Sequence, residues 1–122
     1  RLELRRIENF RQGKDSGDAA FRRGKFHAAV ALYTEALEVD PLADSVNSVL
    51  FCNRAAAQTA LHKYDAAVAD CGKALRLRPE YHKARLRRAR AYVQMSKFDS
   101  AIKDFEEYLR EEKSKATAEV ES

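Results

Sequence analysis

The chain has 122 residues, of which 45% are hydrophobic, and a formal net charge of +4. This length is that of one ordinary domain, and the apolar content is enough to form a core without disulfides or a structural metal. Because the chain has only four glycines, two prolines and no tryptophan, it has few of the turn residues that a many-stranded β domain needs, so the composition favours an all-α fold.

The sequence also argues against a membrane or disulfide-rich protein. No apolar stretch approaches the roughly 18 residues of a membrane helix, and no basic-then-apolar leader begins the chain. Cys52 and Cys71 show neither CxxC nor Cys/His ligand spacing, so we expect two reduced thiols and no metal site. We therefore expect a soluble cytoplasmic protein, with the nucleus as an alternative location, that needs no cofactor.

The apolar spacing predicts six helices. In chain order they are Leu2 to Arg23, Phe26 to Val39, Asp44 to Leu61, Asp65 to Leu77, Tyr81 to Met95, and Phe98 to about Lys113 or beyond. Apolar residues within 1–9 extend the first helix, and residues 114–122 form a charged tail that is either frayed helix or disordered.

An aromatic residue followed three residues later by alanine recurs at the start of every second helix. The pairs are Phe26 and Ala29, Tyr64 and Ala67, and Phe98 and Ala101. Tyr64 and Phe98 are 34 residues apart, whereas Phe26 and Tyr64 are 38 apart. The longer interval is one period plus a four-residue insertion, which we place at residues 44–47, lengthening the third helix.

A helix-turn-helix repeat of this period, with small residues at fixed positions, resembles the tetratricopeptide repeat. Its signature residues here are Gly17, Ala29, Tyr33, Ala36 and Pro41, then Ala55, Ala67, Ala74 and Pro79, then Ala89, Tyr92, Ala101 and Phe105. Tyr108 and Lys113 depart from the pattern, which has a small residue and a proline there, so we expect the last helix to continue past the repeat. The resemblance implies an all-α, right-handed α-solenoid of three hairpins, residues 10–43, 48–81 and 82–113, with extended first and last helices.

The resemblance also implies that the first, third and fifth helices line a concave groove. Helical periodicity then selects the residues that face it: Lys14, Asp18, Phe21 and Arg22; Val49, Cys52, Asn53, Ala56 and Thr59; and Lys83, Leu86, Arg87, Arg90 and Val93. The cations Lys14, Lys83, Arg87 and Arg90 converge on one groove with the neutral amide of Asn53 between them, so the groove suits an anion. Phe21, Leu86 and Val93 could form pockets for apolar side chains.

Within the family, these residues are similar to the carboxylate clamp of co-chaperones, which grips the carboxyl terminus of Hsp70 and Hsp90. That clamp has the form Lys-x-x-x-Asn on the first helix, Asn on the third and Lys-x-x-x-Arg on the fifth. Lys14, Asn53, Lys83 and Arg87 match it, and Asp18 stands where the family has asparagine.

Residues 50–55 and 83–89 look most like the repeat block of DnaJ-type co-chaperones. The resemblance implies a monomeric protein-protein interaction module with Hsp70, Hsp90 or both as partner, in which Arg90 and Asp18 tune the grip.

Asp18 brings a negative charge to the place where a ligand carboxylate would dock. Like charges some 4 Å apart repel by about 1 kcal/mol at the dielectric constant of water and about 4 kcal/mol at an effective value of 20. Two roles are open at this point. Asp18 either pairs with Lys14 one turn earlier, or selects a ligand with a basic residue near its end.

Other functions stay open, with less support. The chain could be a general scaffold whose groove binds an internal peptide or helix, or its basic run could be an ordinary solvated face. Nucleic-acid binding is suggested by a pI of about 9.2, but acidic residues interrupt any basic stripe. Since no His, Cys or Ser is placed to form a nucleophile and base pair, we expect no enzyme activity.

Overall fold

The computed structural model describes residues 2–39 and 43–121. It contains six α-helices: α1 (Leu2–Arg22), α2 (Phe26–Leu37), α3 (Asp44–Ala60), α4 (Tyr64–Leu77), α5 (His82–Gln94) and α6 (Phe98–Glu121). No strand occurs in the described ranges, so the all-α solenoid of three hairpins is confirmed. None of the helices in these ranges is long and apolar enough to cross a membrane.

The predicted helix bounds agree with the structure to within two residues. The last helix was expected to reach about Lys113 or beyond, and α6 continues to Glu121, so the charged tail is helical as far as it is described. The third helix, α3, has 17 residues against 13 in α5. The signature proline at residue 41 lies outside the described residues.

Each helix packs against the next one along the chain, and α3 also contacts both α1 and α5. The first helices of the three hairpins therefore lie side by side. They form one continuous surface, on which residues far apart in sequence can meet.

Small residues allow the paired helices to approach closely. A Cβ atom added at Gly17 would lie 2.5 Å from Cε1 of Tyr33, and one added at Gly13 would lie 2.8 Å from Cβ of Ala36. Both distances are shorter than real carbon contacts, so α1 and α2 could not keep this separation with larger residues in α1.

The turns inside the three hairpins share one backbone conformation. Gly24, His62 and Ser96 have φ angles of 75°, 60° and 58°, and the next residue, a lysine each time, donates its N–H to a carbonyl five residues earlier. This is the left-handed helix ending that glycine favours. The chain adopts it with a histidine and a serine in the second and third hairpins because the pairing of the helices imposes it.

A buried ion pair joins the two helices of the second hairpin, and another joins those of the third. Arg54 donates from Nε and Nη2 to the carboxylate of Asp70 at 2.6 and 2.8 Å, and Arg88 donates likewise to Asp104 at 2.8 and 2.7 Å. Asp70 and Asp104 are 2% and 4% exposed. The hydrogen bonds that Arg88 donates to Asp104 raise the pKa of Arg88. Part of the basic run in the sequence is therefore structural and faces the inside of a hairpin.

The last helix leaves one apolar face uncovered. Phe98, Ile102 and Leu109 are more than half exposed, whereas Leu75, which is one period before Leu109, is buried beneath α5. The extension of α6 instead packs back on the start of α5, where Glu111 accepts a hydrogen bond of 2.8 Å from Nδ1 of His82.

We predict that Asp104→Asn lowers the free energy of unfolding by about 3 kcal/mol, because Arg88 would stay partly buried without its counter-charge. The matched control is Glu106→Gln, which removes the same charge from an exposed position of α6 and should change stability by less than about 0.5 kcal/mol. Urea denaturation followed by circular dichroism measures both. Equal effects of the two substitutions would show that the ion pair contributes nothing specific.

Candidate functional site

A cavity of about 230 Å³ opens on the surface formed by α1, α3 and α5. Its lining residues are Asp18, Phe21, Arg22, Tyr33, Asn53, Ala56 and Arg87. The structure therefore brings together four of the residues predicted for the peptide site: Asp18, Phe21, Asn53 and Arg87. Lys14, Lys83, Leu86 and Arg90 do not line this cavity.

Asp18 is the centre of a hydrogen-bond network that joins three helices. Its Oδ2 atom accepts a bond of 2.9 Å from Nζ of Lys14. Its Oδ1 atom accepts from the hydroxyl of Tyr33 at 2.5 Å and from Nδ2 of Asn53 at 3.2 Å. Of the two roles considered for Asp18, the structure shows the first, pairing with Lys14. Two groups predicted to bind the ligand are thus held by the chain's own carboxylate.

The network keeps the Asp18 carboxyl group ionised. Burial raises its pKa, but the hydrogen bonds from Tyr33 and Lys14, with the charges of Lys14 and Arg22, outweigh burial and lower the pKa below the usual value. A depressed folded-state pKa stabilises the fold above the unfolded pKa, and this contribution is lost as the pH falls through the folded value. Burial, and then Asp18, raise the pKa of Tyr33, so its hydroxyl remains a donor.

Arg87 is held against α3 by one of its nitrogens. Nη1 donates to the carbonyl oxygen of Cys52 at 2.8 Å and to its Sγ atom at 3.1 Å. The prediction that Cys52 faces the groove is wrong, because this side chain is fully buried and packs with Ala74, Leu75 and Ala84. Because α4 and α5 both pack against α3, fewer positions of α3 face the groove than helical periodicity alone predicts.

The other cysteine is also a core residue. Cys71 is a free thiol, fully buried with Ala55 and Ala67. Burial raises its pKa to about 12, so it stays a neutral thiol and is a poor nucleophile.

Two predicted cations lie on α5 outside the cavity. Lys83 and Arg90 are exposed, and among the residues that the structure describes neither makes a hydrogen bond or ion pair. Leu86 is half-buried on the same helix. Lys83 is one turn before Arg87, so the two side chains lie on the same face of α5.

A larger cavity of about 560 Å³ lies at the amino-terminal ends of α1 and α3. Ile7, Phe10 and Val46 contribute to its apolar wall, and Arg6 and Arg11 contribute charge to its lining. Lys14 also lines it, so the Lys14–Asp18 pair lies between the two cavities. This cavity was not predicted from the sequence, because it depends on how the extension of α1 packs across the start of α3.

Two contributors to the smaller cavity were not predicted as binding residues from the sequence. Tyr33 was assigned only a packing role, although its hydroxyl reaches Asp18 from α2. Arg22 was predicted to face the groove but not to bind the ligand. Its position four residues after Asp18, on the same helix face, was the signal that could have identified it.

Within the described ranges, no group of three or more His, Cys, Asp or Glu side chains is arranged to hold a metal ion.

Comparison with known families places repeat units along most of the chain. Family models of the tetratricopeptide repeat match residues 14–48, 48–81 and 82–115. The human protein DnaJ homolog subfamily C member 7 is 38% identical over 114 residues, which are 93% of this chain and 23% of that protein. The mouse mitochondrial import receptor subunit TOM70 is 35% identical over 104 residues, 84% of this chain and 17% of that protein. The chain thus spans less than a quarter of the length of these relatives.

Solved structures share both the fold and part of the sequence. The first TPR domain of Spaghetti (RPAP3) bound to the HSP90 peptide SRMEEVD is 35% identical, with a TM-score of 0.80, covering 86% of this chain and 80% of that one. The second TPR domain of human RPAP3 in complex with the HSP70 peptide SGPTIEEVD is 34% identical, with a TM-score of 0.80 and coverages of 88% and 86%. The Arabidopsis OM64 TPR domain is 33% identical, with a TM-score of 0.81 and coverages of 94% and 92%.

We predict that Tyr33→Phe raises the pKa of Asp18, because the carboxylate loses one of the hydrogen bonds that favour its charged form. A ¹³C NMR titration of the Asp18 side-chain carboxyl measures the change. Tyr64→Phe is the control, because the Tyr64 hydroxyl bonds His62 and should leave Asp18 unaffected. An unchanged Asp18 pKa in Tyr33→Phe would mean that this hydroxyl does not support the carboxylate.

Proposed function

The chain belongs to the tetratricopeptide repeat family, and from this we propose that it is the peptide-binding module of a co-chaperone. In this proposal the groove of α1, α3 and α5 holds the acidic carboxyl-terminal peptide of Hsp70 or Hsp90. Function is recruitment of the flanking parts of the protein to the chaperone, without catalysis or a cofactor. These partners correspond to a cytoplasmic location, with the nucleus as the alternative.

One observation carries the proposal: donors from all three groove helices meet at one small cavity. Arg87 comes from α5, Asn53 from α3 and Arg22 from α1. A terminal carboxylate needs several fixed donors in a small volume, and charge-assisted bonds to it are about twice as strong as neutral ones. The TPR domains of RPAP3 that share this fold are bound to peptides ending in Glu-Glu-Val-Asp, which supports the same ligand class here.

We propose that Lys14, Asn53, Lys83 and Arg87 are the gripping residues. Arg90 adds positive charge along α5, and Phe21 and Leu86 contact apolar side chains of the ligand. Asp18 lowers the affinity for the peptide, because its carboxylate accepts hydrogen bonds from Lys14 and Asn53 and repels an incoming carboxylate.

A second candidate function is a scaffold for an internal peptide or helix. The apolar cavity at the start of α1 and α3 favours it, because Ile7, Phe10 and Val46 can receive apolar side chains without any chain end. The two functions differ in whether the terminal carboxylate of the ligand is needed.

We expect peptides ending in Glu-Glu-Val-Asp to bind at least about tenfold more weakly when their carboxyl terminus is amidated, because a hydrogen-bonded charge is lost. Isothermal titration calorimetry with SGPTIEEVD and SRMEEVD, each as free acid and as amide, measures this. Equal affinities of acid and amide would reject the carboxylate-binding function and favour the scaffold.

We expect Asp18→Asn to tighten binding of the free-acid peptide by about fivefold or more, since a repulsion of about 1 kcal/mol or more is removed. The substitution also releases Lys14 from its ion pair. Asp65→Asn is the matched control, because Asp65 is exposed on α4, lines neither cavity and changes the net charge equally. Weaker binding by Asp18→Asn would show that Asp18 contributes to ligand binding instead of opposing it.

A further inference from the structure

Lys14, Asp18 and Arg22 follow each other at intervals of four residues along α1, so they lie on one face of the helix in the order positive, negative, positive. Asp18 forms its ion pair with Lys14, at 2.9 Å. Arg22, one turn later, is exposed. Among the described residues it makes no hydrogen bond or ion pair.

We propose that the terminal carboxylate of the ligand is bound between Arg22 and Arg87, and that Lys14 acts mainly to hold Asp18. The proposal rests on the carboxylate-binding function and changes which residues perform it. Arg22 becomes the residue of α1 that determines affinity for the chain end.

Two donors of the matched clamp pattern, Lys14 and Asn53, are already hydrogen-bonded to Asp18. The carboxylate of Asp18 accepts bonds from Lys14, Tyr33 and Asn53, which uses three of its roughly four acceptor positions. An incoming carboxylate that binds the remaining donors of Lys14 or Asn53 would lie against this second negative charge. The repulsion costs free energy, so this location is unfavourable.

Two guanidinium groups line the cavity on the other side of Asp18. Arg22 and Arg87 both contribute to the lining, whereas Lys14 and Lys83 do not. Arg87 uses only Nη1 in its bonds to Cys52, so its Nε and Nη2 atoms retain their donors. A guanidinium group presents its donors in a planar fork that matches a carboxylate, and two such groups from different helices can hold one chain end.

The remaining walls fit an apolar side chain next to this chain end. Phe21 and Ala56 provide apolar surface beside the two arginines. Phe21 makes an edge-to-face contact with Phe26 at a centroid distance of 5.3 Å. The lining therefore suits an extended peptide that ends inside the cavity, with the penultimate valine of a Glu-Glu-Val-Asp ending against Phe21.

The test compares Arg22→Gln with Arg23→Gln by isothermal titration calorimetry of the free-acid peptide SGPTIEEVD. Both residues are exposed at the end of α1 and both substitutions remove one positive charge, but Arg23 does not line the cavity. We expect Arg22→Gln to weaken binding at least about tenfold and Arg23→Gln less than about twofold. Arg22→Lys should recover part of the loss, because it restores the charge without the planar fork.

A double-substitution series separates Arg22 from Lys14. In the natural background we expect Lys14→Gln to weaken binding less than Arg22→Gln does. In the Asp18→Asn background Lys14 and Asn53 are released, so the loss caused by Arg22→Gln should shrink to less than about threefold. This coupling is expected only if the ligand carboxylate can bind at either of two positions on this face of α1, beside Arg22 or beside Lys14.

Equal binding by Arg22→Gln and Arg23→Gln would overturn the proposal, as would the same loss by Arg22→Gln for the amidated peptide. Circular dichroism of each variant establishes that the helices are intact. Failure of the proposed function itself gives a different result, because the unsubstituted protein would then bind free acid and amide equally, whatever residue 22 is.

Discussion

The contact between Gly17 and the ring of Tyr33 is the constraint on which the site depends. Because Gly17 has no Cβ atom, α2 lies close enough to α1 for the Tyr33 hydroxyl to reach Asp18 on the groove side. The hydroxyl orients the carboxylate, and the carboxylate in turn positions Lys14 and Asn53. The close packing of α1 and α2 in the first hairpin thus determines which donors in the groove are hydrogen-bonded to Asp18 and which remain available to a ligand.

The arginines of this chain divide into two groups by the side of the helix on which they lie. Arg54 and Arg88 point into their hairpins and are neutralised by buried aspartates, so they stabilise helix pairing. Arg87, directly before Arg88 in sequence, lies on the groove and keeps free donors. Since adjacent positions in a helix are about 100° apart, one short basic run can serve both the fold and the ligand.

The groove is basic but contains one ionised carboxylate at its centre. A carboxylate with this many donors stays charged at neutral pH, so the electrostatic potential alternates along α1 instead of being uniformly positive. This alternation makes the position of each cation more important than the total charge. It is also the main difference between this chain and the clamp pattern that it otherwise matches, where the same place is a neutral amide.

The amino-acid sequence by itself determined the period of 34 residues and the six helices, because apolar spacing and small residues act locally along the chain. The choice of helices that face the groove followed from the resemblance to the repeat family. The sequence also placed Asp18 within reach of Lys14, one turn away. The other partners of Asp18 are 15 and 35 residues distant, and only the packing of α2 and α3 against α1 brings them there. The burial of Cys52, the exposure of Arg22 at the cavity and the second cavity beside it depend in the same way on the stacking of hairpins. Helical periodicity predicts which way a side chain points from its own helix. The packing of the neighbouring helices then determines whether that side chain lies in solvent, in the core or beside another charge.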